Sequence, residues 1–165
     1  MNHKHTKSNP NDHKMNNTHY KRLAIMAVLS FACMYILMYS MVNRFSNIFP
    51  NINQFYMAGL MTMPMIVIEL VVMRSMYMNK KLNTIFIGVS AVLIVGFFLC
   101  IRQQTGVSDK QFLKSMIPHH AGAILMCEGA DITDPEIKEL CRTIKESQQK
   151  EIDQMKSKLE ALEKQ

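Results

Sequence analysis

Hydrophobic residues are concentrated in the middle of the chain, and polar residues dominate on both sides of this region. Three apolar runs within it approach the length of about 20 mainly apolar residues that a membrane-spanning helix needs. They cover residues 23–42, 55–73 and 82–101. The pattern predicts a membrane domain (23–101) with three transmembrane helices, preceded by a polar tail (1–22) and followed by a soluble domain (102–165).

The first apolar run begins near the start of the sequence, where a secretory signal peptide would also lie. It is longer than the apolar core of a signal peptide, and no small-residue cleavage motif follows it. We therefore expect this run to stay in the protein as its first span.

The polar region after the third run carries the start signals of two helices. Residues SDKQ (108–111) fit a capping box, in which Gln111 reaches back to the N-cap serine. Residues TDPE (133–136) place a proline in the first turn of the next helix, where its missing N–H costs nothing. We expect helices over 109–129 and 135–163, joined into an antiparallel hairpin by a short connector. Since strand patterns are absent, the predicted fold class is all-α.

The distribution of Lys and Arg predicts the orientation of the spans. Basic residues are frequent in the tail and in the second loop (74–81), whereas the first loop (43–54) contains only Arg44. Because cytoplasmic loops are enriched in Lys and Arg, we expect the tail and the second loop in the cytoplasm. Arg102, just after the third span, argues weakly against this. The expected setting is a bacterial inner membrane, with lipid around the spans and the C-terminal domain in the periplasm.

The charge pattern of the soluble domain bears on its partners. The formal net charge of the chain is +6, yet the second soluble helix alternates acidic and basic residues. Such alternation is typical of a solvated helix face, whereas a nucleic-acid-binding surface collects basic residues. We therefore do not expect nucleic acid as a partner.

The sequence MIPHHAGAILM (116–126) carries the most distinctive chemistry of the chain. The residues that share one side of this helix are Met116, His119, His120, Ala123 and, two turns beyond His119, Met126. Cys127 lies seven residues beyond His120, so one face presents thioethers and imidazoles with a thiol nearby. Pro118 predicts either a kink that frees a carbonyl or turns the imidazoles inward, or simply a tolerated proline.

A second polar stripe lies on the other soluble helix. It consists of Gln148, Glu151 and Met155, with Cys141 seven residues before Gln148. An antiparallel hairpin can bring this stripe opposite the histidines. Met and His together favour Cu(I), or Cu(II) with more His and carboxylate, and a carboxylate can also orient a ligating histidine. The expected ligands are Met116, His119, His120, Met126, Glu151 and Met155, with Gln148, Cys127, Cys141 and Glu69 as accessory candidates.

Each of these residues also has an ordinary structural explanation. A helical Met usually fills a core, a single His is usually a surface or core residue, and Glu151 can pair with a Lys of its own helix. For Cys127 and Cys141, a disulfide and thiolate ligation both remain open.

This combination of motifs resembles domain-of-unknown-function family 305. The residues that carry the resemblance are Met116, His119, His120, Ala123, Met126, Gln148, Glu151, Ile152 and Met155. The resemblance covers about residues 108–160 and implies a ferritin-like helical hairpin. It also implies an extracytoplasmic copper-binding protein of the kind involved in copper resistance.

Two features depart from the family pattern. Many members have two hairpins that form a four-helix bundle, whereas this chain has one, so we expect a homo-oligomer that completes the bundle. Many members also have Trp near the end of the last helix, where this chain has Ser157 and Lys158. The Glu-x-x-His pairs of di-iron proteins are missing from the sequence, and we expect no enzymatic activity.

Some residues outside the hairpin suggest other interpretations. One Met stripe, on the first span, is Met34, Met38 and Met41, and another, on the second span, is Met57, Met61 and Met65. Such stripes either conduct Cu(I) or, more ordinarily, fill packing positions. Glu69 lies inside the second span, where a carboxylate is costly and often functional. It is protonated, paired with Arg74, or located at the membrane interface if the span ends early. The tail histidines either bind metal weakly or belong to a disordered segment; they are His3, His5, His13 and His19.

The sequence thus supports three hypotheses about function. We favour a membrane-anchored protein that binds Cu(I) outside the cytoplasm and buffers it or hands it over. The first alternative is a subunit of a metal transporter that uses Glu69 and the Met-rich spans. The second is a structural protein in which the helix over 135–163 mediates assembly without any metal.

Overall fold

The computed structural model describes the backbone of residues 10–164 and the side chains of residues 18–164. This described part contains helices and no strands, which confirms the all-α prediction. Its α-helices are α1 (Pro10–Leu37), α2 (Ile52–Val72), α3 (Lys80–Gln103), α4 (Asp109–Gly129) and α5 (Pro135–Glu163). Between α1 and α2 the chain forms two short 3₁₀ turns, Met38–Met41 and Phe45–Asn47.

Three helices contain segments that are long and apolar enough to cross a membrane. These segments are Thr18–Met41, Ile52–Val72 and Lys80–Gln103. They confirm the prediction of three long apolar helices. Side chains such as Val28 and Val92 are 68% and 71% exposed, so the helices present hydrophobic surface outward. Surface of this kind requires an apolar environment such as lipid.

The start of α1 differs from the prediction of a disordered tail. From Pro10 onward the chain is helical, so that prediction is wrong for residues 10–22. Proline is favourable in the first turn of a helix, and extending an existing helix costs far less than nucleating one. The helix of the apolar run therefore continues into the polar residues before it. His3 and His5 lie outside the described residues, as does the side chain of His13.

The chain divides into two compact units, and the first combines the part of the chain up to Met34 with Ala58–Leu99. The buried residues of its core are Tyr20, Leu23, Ile66, Leu70 and Tyr77. Glu69 is half-buried in α2 and accepts a hydrogen bond from the Tyr77 hydroxyl at 3.4 Å. Arg74, the partner considered from the sequence, is exposed. The carboxylate of Glu69, inside the apolar segment, is therefore hydrogen-bonded to a neutral hydroxyl group.

The second unit combines Tyr35–Met57 with the chain from Cys100 onward, and it contains the hairpin of α4 and α5. The two helices are antiparallel, since Lys114 near the start of α4 pairs with Glu163 at the end of α5, at 3.5 Å. The buried residues between them are Ile117, Ala121, Ile124, Ile152 and Leu159. They recur every three to seven residues along each helix, so two apolar stripes face each other. The predicted bounds of both helices and the hairpin are confirmed.

The two hairpin helices begin in different ways. Asp134 caps α5, and its carboxylate accepts hydrogen bonds from two backbone N–H groups of the first turn, at 2.9 and 3.0 Å. The predicted capping box of α4 is wrong, because the side chain of Ser108 makes no cap hydrogen bond. Gln111 accepts a hydrogen bond at 3.0 Å from the N–H of Ile52, the first residue of α2. Its side chain thus satisfies an orphan backbone donor of another helix.

The connecting segment, residues 35–57, packs against α4 within the second unit. Val42 and Phe49 contact the hairpin core. The side-chain amide of Asn53 donates to Ser115 Oγ at 3.2 Å. The C-terminal domain therefore extends beyond its predicted boundary and includes a segment that the hydropathy pattern assigned to the membrane domain.

Candidate metal centre

A cavity of about 560 Å³ in the second unit is bordered by several methionines and a histidine. From α4, it is bordered by Met116, His119 and Met126, which are predicted ligands. From the connecting segment, it is bordered by Met38 and Met41. Four methionines and one histidine therefore border a single cavity.

The remaining side chains around the cavity are neutral. The polar ones are Asn51, Asn53, Gln54, Gln104 and Ser115. Two buried oxygens among them, Asn53 Oδ1 and Gln54 Oε1, have no hydrogen-bond partner among the described residues. A buried acceptor without a partner is costly, so these oxygens favour an occupant that offers a proton or a positive charge.

The two adjacent histidines of α4 point in different directions. His119 is exposed and borders the cavity, whereas His120 is buried between α4 and α5, with 8% of its surface exposed. Their ring centroids are 6.0 Å apart. Successive residues of an α-helix are rotated by about 100° around its axis, which separates the two rings. The predicted face with both imidazoles is therefore divided into a cavity side and an interface side.

His120 is held by hydrogen bonds at both ring nitrogens. Its Nδ1 lies 3.0 Å from the carbonyl oxygen of Met116, and its Nε2 lies 2.7 Å from Oε2 of Glu151. A carbonyl and a carboxylate only accept, so both bonds form together when both nitrogens carry protons. With its nitrogens engaged in this way, His120 positions α4 against α5, and His119 is the histidine that borders the cavity.

Pro118 explains how the connecting segment is attached to α4. A proline has no N–H, so the carbonyl of Lys114, four residues earlier, receives no helical hydrogen bond from it. The side-chain amide of Asn51 donates to that carbonyl at 3.4 Å, and Asn51 is buried. The proline thus frees a carbonyl, as one of the sequence-based hypotheses supposed, and another part of the chain binds it.

The predicted ligands on α5 lie away from the cavity. Glu151 is bonded to His120, Met155 packs against the hairpin core, and Gln148 is half-buried on α5. Within residues 18–164, no group of three or more His, Cys, Asp or Glu side chains is arranged to hold a metal ion. The donors that the fold does bring together are thioethers and one imidazole, which Cu(I) favours.

Cys127 and Cys141 meet across the hairpin near its connector. The neighbouring Cys141 thiol, together with partial burial, raises the pKa of Cys127. They border a second cavity, of about 240 Å³, with Lys138, Arg142 and Lys145. Both cysteines are free thiols. Their predicted approach is therefore found, whereas the disulfide and the thiolate ligation both stay predictions.

Met38 and Met41 were not predicted to lie beside the hairpin ligands, although the sequence carried a signal for them. Together with Met34 they recur on one side of the first span, but core filling is the more common role of helical methionines. The structure separates the stripe. Met34, in the first unit, accepts a hydrogen bond from Thr62 Oγ1 at 3.6 Å, whereas the other two border the cavity. Glu69, the remaining accessory candidate, belongs to the first unit.

Comparison with known proteins agrees with a separate hairpin domain in the C-terminal part of the chain. Residues 101–160 match the model of a family described as Domain of unknown function (DUF305). An uncharacterized protein of Acanthamoeba polyphaga mimivirus is 35% identical to this chain over 149 residues, which cover 88% of this chain and 94% of that protein. The chain belongs to the DUF305 family.

The viral relative extends the likeness of this DUF305 protein beyond the hairpin. The match covers 88% of this chain and therefore extends beyond residues 101–160. No solved structure matches this DUF305 protein. The bacterial membrane and the orientation expected from the sequence stay predictions, since the relative is a viral protein.

Proposed function

We propose that this DUF305 protein is a membrane-attached protein that binds Cu(I) and buffers it or hands it over. The observation that carries the proposal is the cavity bordered by Met116, His119 and Met126. Thioether and imidazole ligands together favour Cu(I) over metals that prefer carboxylates. The three long apolar helices support attachment to a membrane, and the basic tail and second loop support an extracytoplasmic cavity.

The charge of the cavity wall supports a monovalent ion. The described side chains around the cavity include no carboxylate, and the methionines among them offer neutral thioethers. Removing an ion from water costs more as its charge rises, and divalent ions in proteins are commonly compensated by anionic ligands. Neutral sulfur and nitrogen donors therefore suit Cu(I) better than Zn²⁺ or Fe²⁺.

Replacement of His119 by Ala in the full-length protein tests the proposal. We expect the Cu(I) affinity to fall by about tenfold or more, because an imidazole ligand is lost. The measurement is competition with a chromophoric Cu(I) chelator, in detergent and without oxygen. His19→Ala is the matched control, since it removes an imidazole that contacts Tyr77 in the first unit. Equal affinities of the His119 variant and the wild type reject the site.

The identity of the metal is tested on the same preparations. Full-length protein is exposed to copper, zinc and iron together, purified, and analysed for its metal content. Copper should predominate in the wild type and in the His19 variant, and it should decrease in the His119 variant. Predominance of zinc or iron in the wild type contradicts the copper assignment.

A transporter subunit is the second candidate function, and Glu69 is the observation that favours it. This carboxylate is half-buried in α2 and bonded to Tyr77, as expected for a functional group inside an apolar segment. Copper flux into proteoliposomes distinguishes the two functions, since a protein that only binds copper produces none.

We also propose a homo-oligomer. Ile137 and Leu140 near the start of α5 are 49% and 57% exposed, and a second hairpin is the partner that would cover such apolar positions in a four-helix bundle.

A further inference from the structure

The wall of the cavity opposite α4 is built by a part of the chain that the family domain does not include. The matched domain begins at residue 101, whereas Met38 and Met41 belong to the 3₁₀ turn directly after α1. Both methionines border the same cavity as Met116, His119 and Met126. The thioethers therefore come from two distant parts of the sequence.

Close packing fixes the turn of Met38 and Met41 against α4. A Cβ atom placed on Gly122 would lie 3.4 Å from the backbone carbonyl oxygen of Met41. The next residue, Val42, contacts the hairpin core. Gly122 thus leaves room for the backbone of the turn, and a larger side chain at this position would push the turn away.

Hydrogen bonds hold the remainder of the connecting segment in the same unit. The Tyr39 hydroxyl donates to the carbonyl of Phe49 at 3.0 Å, which closes the segment on itself. Asn51 binds the carbonyl of Lys114 that lacks a helical partner. The segment that carries the methionines is therefore attached to the hairpin through both Val42 and Asn51. These contacts fix the position of Met38 and Met41 in the fold.

The chemistry of this arrangement differs from that of a hairpin site alone. The hairpin contributes two thioethers and one imidazole to the cavity, and the connecting segment contributes two further thioethers. Thioethers are neutral, soft ligands that select Cu(I). A ligand set dominated by sulfur discriminates against Cu(II), which favours nitrogen and oxygen donors in tetragonal geometry.

We propose that Met38 and Met41 are Cu(I) ligands that complete the site formed by Met116, His119 and Met126. The inference rests on the proposed function for its metal, and it adds that the site is assembled from the end of the first apolar segment and the hairpin. The DUF305 domain on its own then holds only part of the ligand set.

The double variant Met38→Leu/Met41→Leu in the full-length protein tests this assignment. Leucine keeps the side chains apolar and similar in size but removes both sulfurs. We expect the Cu(I) affinity to fall by about tenfold or more. We also expect the X-ray absorption spectrum of the copper-loaded protein to show fewer sulfur neighbours. Met57→Leu/Met61→Leu is the matched control, since these two methionines are partly exposed, as Met41 is, but do not border the cavity.

A second variant alters the site without removing any ligand. Gly122→Leu places a side chain against the carbonyl of Met41 and should displace the turn. Its Cu(I) affinity should fall in the same direction, while the helical circular dichroism of the metal-free protein stays unchanged. If the leucine double variant and its control both bind Cu(I) like the wild type with unchanged sulfur neighbours, the assignment is overturned and the hairpin site stands. If the wild type binds no Cu(I), the proposed function itself fails.

Discussion

Asn51 is the residue that connects the first loop to the hairpin most directly. Its side-chain amide donates to the carbonyls of Phe49 and Lys114, at 3.0 and 3.4 Å, and its Oδ1 accepts from the N–H of Gln54 at 3.0 Å. One buried side chain thus closes the loop, caps the start of α2 and binds the carbonyl that Pro118 leaves free. The sequence showed the proline, but it did not show that Asn51 binds the carbonyl of Lys114, which lies 63 residues further along the chain. That contact depends on the tertiary fold.

Pro118→Ala tests this connection. The new N–H competes with Asn51 for the carbonyl of Lys114, so α4 gains a helical hydrogen bond and the loop loses one of its contacts. We expect faster amide hydrogen exchange in residues 38–57 and unchanged exchange in α5. Identical exchange in residues 38–57 of the variant and the wild type would show that Asn51 does not depend on the missing helical bond.

The two histidines show how far helical periodicity predicts a site. The period of 3.6 residues correctly placed Met116, His119 and Met126 on one side of α4, and the structure confirms that they share a cavity. It also placed His120 on that side, yet a rotation of about 100° suffices to turn His120 toward α5. Which of two adjacent residues faces which neighbour depends on a packing partner, and periodicity contains no information about the partner.

At the level of helices, local signals were the most reliable. The bounds of α4 and α5 follow from apolar periodicity and from the Asp-Pro start of α5, and both act within a few residues. The capping box of α4 failed for a reason outside the helix. Gln111 is bonded to the N–H of Ile52, so its side chain is not available to its own helix start. A capping pattern predicts the hydrogen bond only when no distant donor competes for the same side chain.

Replacing each N-cap residue by Ala tests whether its side chain stabilises the start of its helix. Asp134→Ala should lower the free energy of unfolding by about 1 kcal/mol, because two backbone N–H groups of α5 lose their acceptor. Ser108→Ala should have little effect, since the Ser108 side chain makes no cap bond. Denaturant unfolding of the full-length protein, followed by circular dichroism, measures both. Equal losses in the two variants would contradict the difference between the caps.

At the level of the whole chain, hydropathy placed the domain boundary at the end of the third apolar run. Hydropathy separates residues that prefer water from residues that prefer lipid, and it found the three long helices correctly. It cannot assign a short loop between two spans to a soluble domain, because that assignment depends on contacts. Val42 and Phe49 contact the core of the hairpin, and the connecting segment therefore belongs to the C-terminal unit.

A fragment of residues 105–165 tests the importance of the connecting segment for copper. It retains Met116, His119 and Met126 but lacks the wall that carries Met38 and Met41. We expect the fragment to be helical and to bind Cu(I) about tenfold or more weakly than the full-length protein. Circular dichroism and competition with the Cu(I) chelator measure the two properties. A helical fragment with the affinity of the full-length protein would confine the site to the hairpin.

The attachment of the connecting segment to α4 also has a consequence for biosynthesis. Ribosomes make the chain from its N-terminus, so Val42 and Phe49 emerge long before the hairpin residues that they contact. During that interval their apolar surface is uncovered, and Asn51 has no Lys114 carbonyl to bind. The cavity closes only after α4 has been translated. A nascent chain that stalls in the third apolar run has therefore made both Met38 and Met41 but none of the hairpin residues that border the cavity with them.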